Sequence, residues 1–289
     1  MRDLEWPIVR HLLADMLATS PSGGGYQVSD IVSANHEETE ARNRNAPLVT
    51  VAVCTRDRAD DLALCLDALA KLDYPNLDLL VVDNAPATDA TERLVKDTYP
   101  AVRYVREPRP GLDWARNRAI VEARGEIVAY TDDDCVPHPG WVRSIVEAFR
   151  EPGVMAVTGL VVPYELETEP QQLFERYGGF GRGFERRWYT IDTDISARPL
   201  LYVGAGQFGT GANMAYRRSI FDEIGGFDPA LDVGTVTNGG GDLEMFFRVL
   251  KEGHTLLYEP SAVIRHRHRR EYEKLQAQLA NNGVGLYSY

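Results

Sequence analysis

The sequence predicts an α/β fold with a mostly parallel central sheet and helices on both faces. Three observations predict it. From residue 47 onward, short apolar β-branched runs alternate with segments of helical period, the grammar of β-α-β units. Polar residues gather where those runs end, as they do at the carboxyl edge of a parallel sheet. The run Ile127-Val128-Ala129-Tyr130-Thr131 ends directly in Asp132-Asp133-Asp134. Three adjacent carboxylates repel one another, so a strand end that holds them needs a neutralising partner. A hard divalent cation such as Mn2+ or Mg2+ suits oxygen ligands of this kind. A solvated acidic turn is the plain alternative.

The elements follow in order. Residues 48–54 (Leu-Val-Thr-Val-Ala-Val-Cys) read as a buried strand that stops at Thr55-Arg56-Asp57-Arg58. Asp60 or Asp61 is expected to cap a helix with Leu62, Cys65, Leu66 and Leu69 on one face. A second strand at 79–82 ends in Asp83-Asn84, followed by a helix at 88–96 and a short strand at 102–105. The loop Glu107-Pro108-Arg109-Pro110-Gly111 leads into a helix carrying Trp114, Arg116, Asn117 and Ile120, expected to close at Gly125. The next strand delivers the Asp triplet. Right-handed crossovers then place Thr55, Arg56, Asp83, Asp132 and Asp134 along one crevice suited to a nucleotide and its metal.

Past Pro137 the pattern changes. Trp141, Val142, Ile145, Val146 and Phe149 share a helical face, and 154–162 reads as a strand. Residues 163–200 show little periodicity but many aromatics, glycines and arginines. They read either as an acceptor-binding wall or lid, or as an exposed insertion. Gly204-Ala205-Gly206-Gln207-Phe208-Gly209 fits the dinucleotide fingerprint after a strand-like 201–203, yet it follows a complete parallel series instead of opening one, which argues against a nicotinamide or flavin site. Residues 211–218 read as a strand before a helix near Ser219. Asp242 follows Gly239-Gly240-Gly241 and starts a helix with Leu243, Phe246, Phe247 and Leu250 on one face. It is either a helix cap or a general base beside a mobile loop. Residues 255–258 and 262–264 read as two closing strands. The cluster from Arg265 to Arg270 reads as a solvated basic patch, or as phosphate contacts plus a histidine metal ligand.

Composition narrows the classes. The net charge of -12 argues against a duplex-binding surface, so no nucleic-acid partner is expected. No apolar run approaches a membrane span, and the first residues lack a secretion signal. Three widely spaced cysteines (Cys54, Cys65, Cys135) fit reduced core thiols. A cytoplasmic protein is expected, with membrane association at the cytoplasmic face open. Residues 1–46 read as an extension with a short helix at 8–17 and a glycine-rich linker. Residues 47–270 form the main domain, and 271–289 a tail, amphipathic at first, that could meet a partner or a membrane surface.

The pieces Val51-Ala52-Val53-Cys54-Thr55-Arg56-Asp57-Arg58, Val81-Val82-Asp83-Asn84, Gly111 with Ala115-Arg116-Asn117, Asp132-Asp133-Asp134, Gly211-Ala212-Asn213-Met214 and Gly241-Asp242-Leu243-Glu244 stand in an order that resembles the family 2 glycosyltransferases. The resemblance covers residues 47–270 and implies an inverting enzyme of the GT-A fold, with a nucleotide-binding half at 47–135 and an acceptor and catalytic half at 136–270. It implies that Thr55, Arg56, Arg58, Asp83, Arg116 and Asn117 line the donor pocket together with Asp132 and Asp133. Asp132 and Asp134 would form the D-x-D metal pair, with His266 completing the shell and His268 as the fallback. Asp242 would be the catalytic base. Gly241 stands where the family often has glutamate, which leaves Glu244 a secondary candidate. Trp141, Gly211, Asn213 and Glu244 would lie on the acceptor or donor-sugar side. The resemblance also implies Mn2+ or Mg2+ as cofactor, a nucleotide-diphosphate sugar as donor with UDP the first choice, a carbohydrate or lipid-linked acceptor, and a place in cell-envelope or polysaccharide biosynthesis.

Two other readings compete. A sugar nucleotidyltransferase needs a glycine-rich phosphate loop after the first strand, and residues 55–58 contain no glycine. A non-catalytic sugar-nucleotide or carbohydrate-binding protein would use Asp242 only as a cap. The P-loop fingerprint is absent, which excludes a P-loop kinase.

Overall fold

Residues 45–191, 206–231, 233 and 235–288 are described by the computed structural model. The expected helix at 8–17, the glycine-rich linker, the strand at 201–203 and the first two residues of the glycine fingerprint lie outside them.

The first half is a parallel series. Strand β1 (Val49–Thr55) leads to helix α1 (Ala59–Leu69), then β2 (Leu77–Asn84), α2 (Ala90–Thr98), β3 (Arg103–Glu107), α3 (Leu112–Glu122) and β4 (Ile127–Asp132). Along β1 the side chains alternate: Val49, Val51 and Val53 enter one core and Ala52 the other. The first core packs β1 against Leu62, Leu66, Trp141 and Ile145. The second packs Val82 and Tyr130 against Ala115, Ala119, Met245 and Phe246. The sheet therefore lies between two helical layers.

After β4 come β5 (Cys135–Pro137), α4 (Trp141–Ala148), β6 (Val154–Pro163), α5 (Glu169–Tyr177), β7 (Arg187–Tyr189), β8 (Asn213–Arg217), α6 (Ile220–Ile224), a 3-10 turn (Pro229–Leu231), α7 (Gly241–Lys251), β9 (Thr255–His266) and α8 (Tyr272–Ser288). Among the described residues the nine strands form one sheet in the order β3-β2-β1-β4-β8-β6-β9-β5, with β7 paired to β9. β8 runs against both β4 and β6, and β5 and β7 run against β9, so the other strands share one direction. The mostly parallel α/β sheet expected from the sequence is what the chain forms.

Several local expectations change. Neither Asp60 nor Asp61 caps α1; Arg58 holds the N-cap position, and both acids sit in the first turn. α3 ends at Glu122, not at Gly125. Gly125 instead enters β4 so closely that a Cβ there would lie 2.5 Å from the Thr50 backbone nitrogen. The two closing strands are one, β9, whose register on β6 jumps from Gly159–Glu259 to Leu160–Val263 across a bulge at Pro260. The aperiodic stretch 163–200 contains α5 and β7. α5 opens on Thr168 at the N-cap, where Gln171 Oε1 reaches back to accept the Thr168 amide at 3.1 Å and the Glu167 amide at 3.0 Å. The tail is helical across the whole of Tyr272–Ser288.

Candidate active site

Strand register brings the polar ends together. Thr55 stands opposite Asp83, and Cys54 opposite Asp132, at the carboxyl edge of the parallel strands. β8 begins at that edge, because Asn213 pairs with Thr131. β9 ends beside the triplet, where His266 pairs with Cys135 and the Arg267 amide donates to the Asp134 carbonyl oxygen at 3.0 Å.

The triplet divides into roles. Asp133 and Asp134 are buried in the turn from β4 to β5, while Asp132 is half-buried at the strand end. Thr55 Oγ1 donates to Asp133 at 2.7 Å, and Arg58 pairs with Asp133 and Asp134, each at 2.8 Å. Arg269 adds a contact to Asp134 at 3.3 Å. Burial pushes Asp133 up to about 7, against the pull of Arg58. Burial also works against the Asp134 charge, but His266, Arg58 and Arg269 outweigh it and hold this carboxyl below the usual range. Asp132 is pushed up to about 6 by burial and by Asp134 and Asp242, with Arg116 opposing.

Asp242 comes from the other side. It is the second residue of α7, after Gly240 at the N-cap with φ 107°, so it does not cap the helix. Its Oδ2 accepts the Gly211 amide at 2.8 Å, and its Oδ1 the Leu243 amide at 3.0 Å. Arg116, buried, pairs with Asp113 at 2.9 Å. A Cβ on Gly211 would lie 2.5 Å from Arg116 Nη2 and 3.0 Å from Asp242 Oδ2, so guanidinium and carboxylate meet over that glycine. A Cβ on Gly241 would strike the Asp113 carboxylate. The glycines of both segments are there because α3, β8 and α7 converge too closely for a side chain.

The residues that would hold a divalent cation fit one. Asp134, Cys135 and His266 bring one donor atom each within 4.8 Å of one another. Asp134 Oδ1 is buried and accepts no hydrogen bond from the described residues, and His266 Nε2 lies 3.4 Å from it. Burial lowers the His266 pKa to about 4, so the ring is neutral and able to ligate near pH 7. Cys135 was not expected in this group. Burial keeps its thiol protonated, which leaves the harder oxygen and nitrogen donors.

The remaining expected site residues differ in exposure and in what holds them. Asp83 is fully buried at the end of β2. Tyr104 OH donates to its Oδ2 at 2.8 Å, while Oδ1 has no partner, and burial raises its pKa. Arg56 is exposed at the end of β1. The Asn117 side chain is occupied: its amide donates to the Phe227 carbonyl and its oxygen accepts the Phe227 amide, each at 2.8 Å. Glu244 is paired with Arg248, which also grips the Ile224 and Gly226 carbonyls. Trp141 and Asn213 require correction. Both are fully buried, and Trp141 Nε1 donates to Asn213 Oδ1 at 2.8 Å. The Asn213 amide in turn satisfies the Leu160 and Ala262 carbonyls beside the β9 bulge. They brace the core and present no face to a sugar. Sequence reasoning missed Asp113, an acid with no distinguishing spacing of its own.

Comparison with known proteins places this geometry. The model of the family described as glycosyl transferase family 2 matches residues 50–225, more than half of the chain. Polypeptide N-acetylgalactosaminyltransferase 5 of Caenorhabditis elegans is 25% identical over 244 residues, 79% of this chain and 38% of that protein. The pre-mycofactocin glycosyltransferase of Mycobacterium tuberculosis is 25% identical over 236 residues, 81% of this chain and 46% of that one. The chain thus spans less than half the length of these relatives. Among solved structures, the mannosyltransferase PcManGT from Pyrobaculum calidifontis, in complex with GDP-Man and Mn2+, superposes with a TM-score of 0.59 at 21% identity, covering 98% of this chain and 70% of that one. At that identity the likeness speaks for the GT-A fold.

Proposed function

The chain belongs to glycosyl transferase family 2, and we propose that it transfers a sugar from a nucleoside diphosphate donor to an acceptor hydroxyl with inversion at the anomeric carbon. One observation carries the reading: Asp242, from α7, accepts the Gly211 amide at 2.8 Å just ahead of β8, whose Asn213 pairs with Thr131 at the strand end that bears the acid triplet. Carboxylates 110 positions apart in sequence, counting from Asp132 to Asp242, therefore act on one space.

The division of labour follows from chemistry. Breaking the bond between sugar and diphosphate leaves negative charge on the phosphate, and the acceptor hydroxyl must lose a proton as it attacks from the opposite face. Asp242 is the general base, with each oxygen already steadied by one backbone amide so that the carboxylate keeps its aim. Arg116 is its cationic neighbour, and Asp113 fixes Arg116. Asp134 and His266 are the residues that would hold a divalent cation, with Asp132 beside them. When bound, such an ion offsets the charge of the departing diphosphate. Arg58 and Arg269 flank the same edge and suit phosphate oxygens. Asp83, opposite Thr55 and near the exposed Arg56, keeps a buried Oδ1 with no partner among the described residues, and an N–H of the nucleotide base would satisfy it once the carboxylate is uncovered.

We assign this unit to residues 47–270, with the nucleotide side at 47–135 and the acceptor side at 136–270. Residues 1–46 are an extension and 271–289 a tail. No helix among the described residues is long and apolar enough to cross a membrane. Val284, Leu286 and Tyr287 of α8 are exposed and are the side chains we assign to contact with a partner or a lipid surface.

A donor screen tests the proposal. UDP- and GDP-sugars, the latter included because the structural neighbour binds GDP-Man, are offered with Mn2+, with Mg2+ and with EDTA. NMR reads the anomeric configuration of any product. One donor turned over only with metal, giving inverted product, is the expected result. Turnover unaffected by EDTA, or retained configuration, would contradict it.

A further inference from the structure

Behind His266 runs a chain of side chains from two elements. His266 Nδ1 lies 2.9 Å from His268 Nδ1, and His268 Nε2 lies 2.8 Å from Glu175 Oε1. Both rings are 4% exposed. Phe174 meets the edge of His268 at a centroid distance of 4.8 Å, and Phe180 that of His266 at 5.0 Å, closing the sides of the chain.

With Glu175 as a carboxylate and both rings neutral, one arrangement of protons satisfies every contact. The carboxylate has no hydrogen to give, so His268 Nε2 must carry one and donate it. A neutral imidazole has a single N–H, so His268 Nδ1 is an acceptor. His266 Nδ1 is then the donor, and its Nε2 is a bare lone pair. That lone pair faces Asp134 Oδ1 at 3.4 Å, an oxygen that accepts no hydrogen bond from the described residues. Two electron-rich atoms face each other across a gap that a cation would reconcile.

We propose that Glu175 and His268 are positioning residues that lock His266 in its Nδ1–H tautomer, aiming its Nε2 lone pair at a divalent cation shared with Asp134. The proposal rests on the metal-dependent reading given above. It also gives α5 a function. Gln171, one turn before Glu175, donates to the His268 carbonyl at 3.3 Å. After the helix, a Cβ on Gly179 would come within 2.5 Å of Glu175 Oε1, so the following loop closes tightly on that carboxylate. A helix from the aperiodic stretch between β6 and β7 thus sets the orientation of a ring on β9. Partners of this kind fix the tautomer and raise the basicity of ligating histidines in metal sites generally.

Two measurements that need no turnover test it. Long-range 1H–15N NMR on the metal-free protein reads the tautomer, and calorimetric titration with Mn2+ reads affinity. Wild-type protein is expected to show His266 as Nδ1–H. Glu175→Leu should weaken Mn2+ binding by about 10- to 100-fold. Glu175→Gln, whose amide oxygen still accepts the His268 N–H, should stay close to wild type. Likewise His268→Asn, whose carbonyl accepts from His266 Nδ1, should bind more tightly than His268→Leu, and this pair decides the matter if Glu175→Leu does not fold. His266 found as Nε2–H, or Glu175→Leu binding Mn2+ as tightly as wild type, would overturn the lock. Wild-type protein that takes up no Mn2+ while His266 is Nδ1–H supports the lock and overturns the metal reading.

Discussion

Trp141 and Asn213 illustrate how a polar side chain can be mistaken for a ligand contact. The family resemblance implies that both lie on the acceptor or donor-sugar side. In the fold their hydrogen bond spends the indole N–H, and the Asn213 amide closes two carbonyls beside a strand irregularity. Trp141→Phe leaves the Asn213 oxygen without its donor, an expected loss of about 1–3 kcal/mol in unfolding free energy, with KM for donor and acceptor unchanged. Denaturant titration beside steady-state kinetics checks this. A change in KM without a loss of stability would return Trp141 to the substrate side. The acid triplet was legible because adjacent carboxylates at a strand end demand a partner. Asp113 was not, because an acid three residues before an arginine on a helix is commonly a surface pair. Its burial against Arg116 depends on α7 arriving from far away in the chain.

At the scale of elements, α3, β8 and α7 meet around Asp242, and Gly211 is the point of closest approach. Adding one methyl there forces Arg116 Nη2 or Asp242 Oδ2 to move. Gly211→Ala is therefore expected to lower kcat by about 10- to 100-fold, since misplacing a catalytic group by a fraction of its reach costs orders of magnitude in rate. Donor Kd should hold, and far-ultraviolet circular dichroism should show the fold intact. Wild-type kcat in this variant would mean that Asp242 has slack and is not aimed. Elements differed in how plainly the sequence announced them. β1, β2 and β4 were visible as β-branched runs buried on both faces. α5 carries a helix-start signal, Thr168 followed three residues later by Gln171, but the residues after it lack a clear helical period. Pro260 breaks the period of β9, so the sequence reads as two strands there, whereas the structure absorbs that residue in a bulge. The gathering of Glu175, His268 and His266 could not be seen, since it depends on α5 lying against the end of β9.

For the whole molecule, the sheet sets the geometry. Parallel strands from the first half bring Thr55, Asp83 and Asp132 to one edge, and the reversed β8 lets the second half return Gly211, Asp242 and His266 to the same edge. The central claim is that the two halves divide one reaction: the Asp134 side holds the donor, and Asp242 deprotonates the acceptor. The most direct test separates binding from transfer in two variants, using the donor that turns over and Mn2+, with donor Kd from calorimetry and transfer from single-turnover kinetics. Asp242→Asn is expected to bind donor as wild type does and to lose about 10²- to 10⁴-fold in transfer rate. Asp134→Asn should lose the metal-dependent part of donor binding. Transfer by Asp242→Asn at the wild-type rate would contradict the account.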